Sequence, residues 1–175
     1  MSVSQNEVTG QSSLKAKAGK YLTFKLGVEE YGLEILKVQE IIKMMDITHV
    51  PRTPAFVRGV INLRGKVIPV VDLRLKFGME SRETTDKTCV IVVQVAHGGA
   101  GGGSMTMGTI VDEVSEVLDI AGEQIEPAPE FGTAVNTDFI LGMGKVAKKV
   151  VMLLDIDKVL SSGELATVSK VAKVA

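Results

Sequence analysis

The chain has 175 residues, 45% apolar and 23% charged, with a net charge of −1, which suits one compact domain or two small ones. It has no run near the roughly 18 apolar residues a membrane span needs, and residues 1–18, mainly Ser, Gln, Lys and Thr, lack the apolar core of a secretory signal. With near-neutral charge, no Trp and two Tyr, neither phosphate tracking nor base stacking is supported, and no nucleic-acid partner is expected.

Residues 1–18 read as a disordered arm and 19–162 as the folded domain. Residues 21–26 alternate, with Leu22, Phe24 and Leu26 on one face, and Gly27-Val28-Glu29-Glu30 turns the chain into a strand around 31–35. The run Ile41-Ile42-Lys43-Met44-Met45-Asp46-Ile47 is apolar on both faces of any strand it forms. One face enters a core; the other is either covered within the domain or left for another protein, a use that paired Met residues suit.

Residues 50–54 form an extended connection. Thr53 suits an N-cap, Pro54 the first helical position and Gly59 the position after the end, so one helical turn is expected over 54–58. Strands 60–64 and 66–71 flank the turn Arg64-Gly65, with Asn62 and Gly65 as turn residues; Ile61 and Leu63 share one face, Val60, Asn62 and Arg64 the other. Pro69 has no N–H for a ladder, which places its strand at an edge or a bulge. Asp72 caps a short helix ending at Gly78. Strands 89–95 and 107–114 are joined by the Gly-rich hairpin loop 97–104, Asp155 caps a second short helix, and 163–175 is a C-terminal helix with Leu165, Val168 and Val171 on one side.

One pattern occurs twice. Phe56-Val57-Arg58-Gly59 and Lys66-Val67-Ile68-Pro69-Val70-Val71-Asp72-Leu73 return 83 residues later (139 − 56 = 83) as Phe139-Ile140-Leu141-Gly142 and Lys149-Val150-Val151-Met152-Leu153-Leu154-Asp155-Ile156. Residues 31–41 match 107–117 at an offset of 76 (107 − 31 = 76). The halves, roughly 20–83 and 84–162, are each small for an independent core, so they pack on a shared apolar seam, with strand exchange between them allowed. Short strands, Gly-rich turns and the absence of a long amphipathic helix in either half indicate a mainly β protein of two small paired barrels. Residues 14–87 carry 14 Lys/Arg and 9 Asp/Glu (+5), and 88–160 carry 4 and 10 (−6). These are either two solvated faces or a basis for head-to-tail contact with a similarly built partner. The copies differ at Arg58, Asn62 and Arg64, which face Leu141, Lys145 and Ala147 in the repeat; function is expected to have diverged there.

Catalytic patterns fail on inspection. Gly142-Met143-Gly144-Lys145-Val146-Ala147 formally fits a dinucleotide fingerprint, but a strand follows it where a long helix is required. The loop 98–103 lacks the Lys-Ser/Thr of a phosphate cradle. Cys89 sits in an apolar run and reads as a small buried hydrophobe. His49 and His97 form no ligand spacing, and no metal or cofactor is expected. Adjacent Asp112 and Glu113 point to opposite faces of a strand. No enzyme activity is expected. Arg64 has Glu40 as a candidate partner, a pair that either orients a surface or, if solvated, contributes little.

Glu29-Glu30-Tyr31-Gly32, Ile35-Leu36-Lys37-Val38-Gln39-Glu40-Ile41, the long segment Thr53-Pro54-Ala55-Phe56-Val57-Arg58-Gly59-Val60-Ile61-Asn62-Leu63-Arg64-Gly65 and Ile68-Pro69-Val70-Val71-Asp72-Leu73 resemble the CheW family of bacterial chemotaxis coupling proteins. The resemblance spans about 20–162 and includes residues 123–131. It implies a non-catalytic scaffold of two five-stranded SH3-like barrels around a hydrophobic seam, bridging the cytoplasmic tips of transmembrane chemoreceptors to the regulatory domain of a histidine autokinase. By position, Ile35, Val38, Glu40, Arg64, Cys89 and Val114 would face the receptor, Ile42 and Met44 the kinase, and Gly59 would hold a backbone turn. The protein would be cytoplasmic, recruited to the inner membrane face through receptors without inserting; ring assembly with the kinase or itself is left open. The loop 97–104 is longer than the family pattern, and Cys89 stands where a β-branched residue is usual. The alternatives are a small-ligand β-barrel and the adaptor part of a coupling protein with a receiver domain; residues 163–175 are far short of receiver length.

Overall fold

In the computed structural model, which describes residues 17–96, 103–128 and 138–174 (side chains through Val171), the repeat appears as two interlocked sheets. The strands are β1 (Gly19–Leu26), β2 (Glu29–Glu34), β3 (Val38–Lys43), β4 (Val57–Leu63), β5 (Lys66–Asp72), β6 (Cys89–Ala96), β7 (Ser104–Val111), β8 (Glu113–Ile120), β9 (Ile125–Glu126), β10 (Ile140–Val146) and β11 (Lys149–Leu154). The helices are α1 (Leu73–Lys76), α2 (Ile156–Val159) and α3 (Ser162–Val174). Sheet one runs β8-β1-β2-β11-β10-β9 and sheet two β3-β6-β7-β5-β4. The fold is mainly β, as expected, although the two-residue β9 gives sheet one a sixth strand.

The sheets do not follow the halves 20–83 and 84–162. Each half gives its first hairpin to one sheet and its later strands to the other: β1 and β2 join β8–β11, while β6 and β7 join β3–β5. The pairing shows that the repeat is structural. The parallel pairs Val70↔Gly108 and Leu153↔Gly32 are related by the offsets 83 and 76. Bulges recur at Val57/Gly59 and Ile140/Gly142, and the amides of Asp72 and Asp155 donate to the carbonyls of Phe56 and Phe139, both at 2.7 Å.

Exchange leaves three apolar clusters. Ile61, Ile68, Val70, Val90, Val92 and Ile110 fill sheet two, and Tyr21, Ile120, Ile125, Val151 and Leu153 fill sheet one. The largest joins the sheets, with Phe24 and Leu33 from one and Val57, Val71 and Val93 from the other. Because this seam holds the largest cluster, neither sheet would keep its core alone. Four rings, Phe24, Tyr31, Phe77 and Phe139, stack in series at centroid spacings of 5.3–5.8 Å.

The predicted aspartate caps are present: Asp72 accepts from the Arg74 amide at 3.0 Å and Asp155 from the Asp157 amide at 3.1 Å. The C-terminal helix also forms, burying Leu165, Val168 and Val171 in the seam cluster and packing on β4 and β5. It opens with a reciprocal cap, in which the Glu164 amide donates to Ser161 Oγ and the Ser161 amide to Glu164 Oε1. Burial raises the Glu164 pKa, but hydrogen bonds from Lys76 and Ser161 and the Lys76 charge outweigh it, leaving a net lowering.

Other expectations are corrected. Residues 54–57 make one hydrogen-bonded turn and no helix, because the chain enters β4 at Val57; the Thr53 hydroxyl donates to the Val50 carbonyl at 2.9 Å. Gly59 lies inside β4. Pro69 is on an interior strand, tolerated because the β5–β7 ladder begins only at Val70. The disordered-arm expectation falls outside the described residues for 1–16, as does the hairpin tip for 97–102; its flanks pair at Ala96↔Ser104.

Candidate functional site

β3 and β8 occupy equivalent positions at the edges of the two sheets. Val38 on β3 and Val114 on β8 are related by the offset of 76. Both are half-buried against the seam cluster, as are Ile35 and Cys89. Cys89 is therefore not fully buried as read from its neighbours: it starts β6 beside edge strand β3, where Lys43 pairs with it and its Sγ donates to the Lys87 carbonyl at 3.3 Å. The four apolar side chains come from β6, both edge strands and the 3₁₀ turn Ile35–Lys37.

The polar part lies beside them. Arg64 Nη2 donates to Glu40 Oε2 at 2.6 Å, with the Arg64 side chain 67% exposed. This bond and the Glu40 charge raise the Arg64 pKa. Glu40 Oε1 is buried without a hydrogen-bond partner among the described residues, an uncommon state for a carboxylate oxygen. Arg64 projects from a turn in the left-handed region, at φ 52, followed by Gly65 at φ 87. Asn62 Oδ1 fastens that turn by accepting from the Gly65 amide at 2.8 Å. Ala147, its repeat counterpart, has φ 54. The left-handed first turn residue is therefore common to both copies, and the guanidinium belongs to one.

Of the three positions where the copies diverge, only Arg64 presents its charge outward. Asn62 serves the turn, and Arg58 Nη1 lies 3.1 Å from the buried Asp72 carboxylate, stabilising the cap of α1. Ile42 and Met44 pack on the interior cluster of sheet two. The exposed apolar residues of this region are Leu36, Ile41 and Met45, at 93%, 43% and 38%, which the sequence reading did not select. Strand alternation fixes that Ile41 and Met45 oppose Ile42 and Met44, but not which pair faces out.

Glu34, just before Ile35, sits in an acidic setting. Burial first, then the Asp155 charge, raises its pKa, with Asp157 adding and Lys37 and Lys17 opposing. A carboxyl with a raised folded pKa favours folding when protonated and opposes it when ionised. Glu34→Gln is therefore expected to raise the thermal midpoint at pH 7. The gap to wild type should close as pH falls through the raised titration range, where Glu34 itself becomes neutral. A Gln variant less stable than wild type at pH 7 in a thermal melt would contradict this.

Among the described residues no group of three or more His, Cys, Asp or Glu is arranged to hold a metal ion. The CheW-like domain family matches residues 20–164. The chain belongs to this family. The chemotaxis protein CheW of Klebsiella aerogenes is 44% identical over 154 residues, spanning 88% of this chain and 89% of the relative. That of Helicobacter pylori is 35% identical over 141 residues, 81% of each chain. The crystal structure of the scaffolding protein TtCheW from Thermoanaerobacter tengcongensis superposes with a TM-score of 0.72 at 36% identity, covering 84% of this chain and 95% of that one. The CheW-like match ends at residue 164, whereas α3 continues to Val174, so most of α3 lies outside it.

Proposed function

We propose that this chain is a non-enzymatic chemotaxis coupling scaffold that joins chemoreceptors to a histidine kinase. The observation that carries this reading is the seam mouth: Ile35, Val38, Cys89 and Val114 offer one half-buried apolar surface drawn from both sheets, flanked by the Arg64–Glu40 pair. A helical receptor tip docks on it, its apolar residues completing the seam cluster and a donor satisfying Glu40 Oε1. The kinase regulatory domain takes the β3 side, where Ile42 and Met44 set the surface from beneath and Ile41 and Met45 present apolar area. The chain acts in the cytoplasm, held at the membrane by the receptor; none of the described helices is long and apolar enough to cross one.

Coupling requires that the scaffold bind two receptor or kinase states with different free energies, and 1–3 kcal/mol of difference shifts an equilibrium by about 5–150-fold. Because Val38 and Val114 lie on the edge strands of different sheets, a partner seated across them senses any change in how the sheets abut. Co-sedimentation with a receptor cytoplasmic fragment and the kinase, tested singly and together, checks this reading: each should be retained alone, and all three in one complex. If the two compete for the chain, the bridging reading fails.

A further inference from the structure

The two copies of the repeat zip their parallel strands to different lengths. In the second copy the ladder of β2 and β11 runs from Val151↔Glu30 to Leu154↔Leu33. In the first, the ladder of β5 and β7 begins only at Val70↔Gly108, the equivalent of Leu153↔Gly32. The two pairs that would precede it are not made, and Pro69, without an N–H, stands where the second copy has Met152. Between residues 66–69 and 104–106 a cleft of about 410 Å³ opens, flanked by Gln94 of β6 and Ser169 of α3. Its volume is that of a small-ligand site.

The charges at the two places differ as well. Lys149 Nζ lies 2.9 Å from Oε2 of Glu30, whose side chain is 13% exposed. The counterparts at the offsets of 83 and 76 are Lys66 and Thr106, so the first copy keeps the ammonium and has a hydroxyl in place of the carboxylate. Lys66 Nζ donates to Thr106 Oγ1 at 3.3 Å and forms no ion pair among the described residues. The same oxygen accepts from Gln94 Nε2 at 2.7 Å, so its lone pairs are engaged and its own O–H is left to donate. Gln94 Nε2 spends its other hydrogen on Gln39 Oε1, also at 2.7 Å, which ties Thr106 into a polar chain across β3, β6 and β7. Ser104 and Ser169 add hydroxyls, and no Asp or Glu lines the cleft. An ammonium beside hydroxyl donors, with no carboxylate among them, favours an anion.

From this we infer that the cleft between β5 and β7 is a binding site for a small carboxylic acid. Its carboxylate takes the place that Glu30 holds in the second copy, accepting from Lys66 Nζ and Thr106 Oγ1, and a short apolar body lies against Pro69 and Met105. The repeat itself points to the charged group, because the chain meets the equivalent lysine with a carboxylate. A concave cleft between two strands, flanked by α3, suits a free small molecule better than the side chain of a docked protein.

Full-length protein labelled with ¹³C at threonine and methionine methyls is titrated with isovalerate, a short branched acid, and Thr106 and Met105 are followed, with Thr23 of β1 as the reference. The expected result is a saturable shift of Thr106 and Met105 with Thr23 unmoved, and no shift with isovaleramide, which has the same body without the charge. Thr106→Glu supplies the missing carboxylate from within the chain. Met105 should then no longer respond to isovalerate, and the melting temperature should hold or rise. Lys66→Met should weaken binding about tenfold or more, the usual effect of losing a hydrogen bond to a charged group. No saturable shift with isovalerate, equal shifts from the amide, or undiminished binding by a folded Thr106→Glu protein would each overturn the proposal. So would a Thr106 shift given by a receptor or kinase fragment but not by isovalerate, which would assign the cleft to a partner's acidic side chain.

Discussion

Gly59→Ala is expected to destabilise the protein by about 3 kcal/mol or more, among the larger single-site effects a small domain shows. Gly59 has φ 139, and a Cβ built there would lie 2.0 Å from the Thr48 carbonyl oxygen and 2.7 Å from its carbon. Those atoms cannot yield cheaply. Thr48 and Val60 exchange backbone hydrogen bonds, both 2.9 Å, so moving Thr48 aside breaks the bridge that ties the 44–56 connection to β4. Gly65→Ala is the control: Gly65 also has positive φ, at 87, but a Cβ would meet nothing within 4 Å. Only backbone strain remains, about 1 kcal/mol. Chemical denaturation of both variants checks the contrast, and a Gly59→Ala protein within about 1 kcal/mol of wild type would contradict it.

Arg64→Glu is expected to leave the unfolding midpoint nearly unchanged and to abolish receptor-dependent stimulation of the kinase. The side chain is two-thirds exposed and, among the described residues, makes its one hydrogen bond to Glu40. Its left-handed backbone is no harder for Glu than for Arg. The consequence is local: two carboxylates face each other where a short ion pair stood, and Glu40 must leave the edge of β3 beside Val38. The exchange Glu40→Arg with Arg64→Glu restores the pair in reverse and should recover part of the stimulation, which a loss of fold would not allow. Circular dichroism and kinase autophosphorylation with receptor present separate the outcomes. Normal stimulation by Arg64→Glu, or loss of its folded signal, would refute the role given to the pair.

The repeat was the most legible feature because it rests on several spacings at once. The shared Gly and Asp positions each do the same backbone work twice, as the matched registers at Gly108 and Gly32 and the matched caps at Asp72 and Asp155 show. What strand patterns cannot carry is the partner of a strand. Alternation in β1 and β2 says that a face is buried, and the same residues would satisfy a sheet made with β3–β5 or with β8–β11; hence the exchange was allowed but not determined. The run from Ile41 to Met45 failed for a related reason. Apolar on both faces, it left the inward pair undecided, and Ile42 and Met44 proved to be the ones that pack on the core.

Arg58 and Asn62 illustrate a different limit. Both differ between the copies, which drew a functional reading, yet one neutralises buried Asp72 and the other closes a turn. A difference between repeats marks a changed environment, and the environment is visible only once the partners are placed. For Glu40 and Arg64 the pair was legible in the sequence, and the structure added a buried Oε1 with no hydrogen-bond partner among the described residues.

The central claim is that this chain transmits receptor state to the kinase rather than merely binding either one. Autophosphorylation of the kinase, measured with receptor-bearing membranes with and without the chain, and with and without a receptor ligand, tests it most directly. The account predicts stimulation only when receptor and chain are both present, changed by the ligand and absent with Arg64→Glu. Equal kinase activity with and without the chain would contradict it.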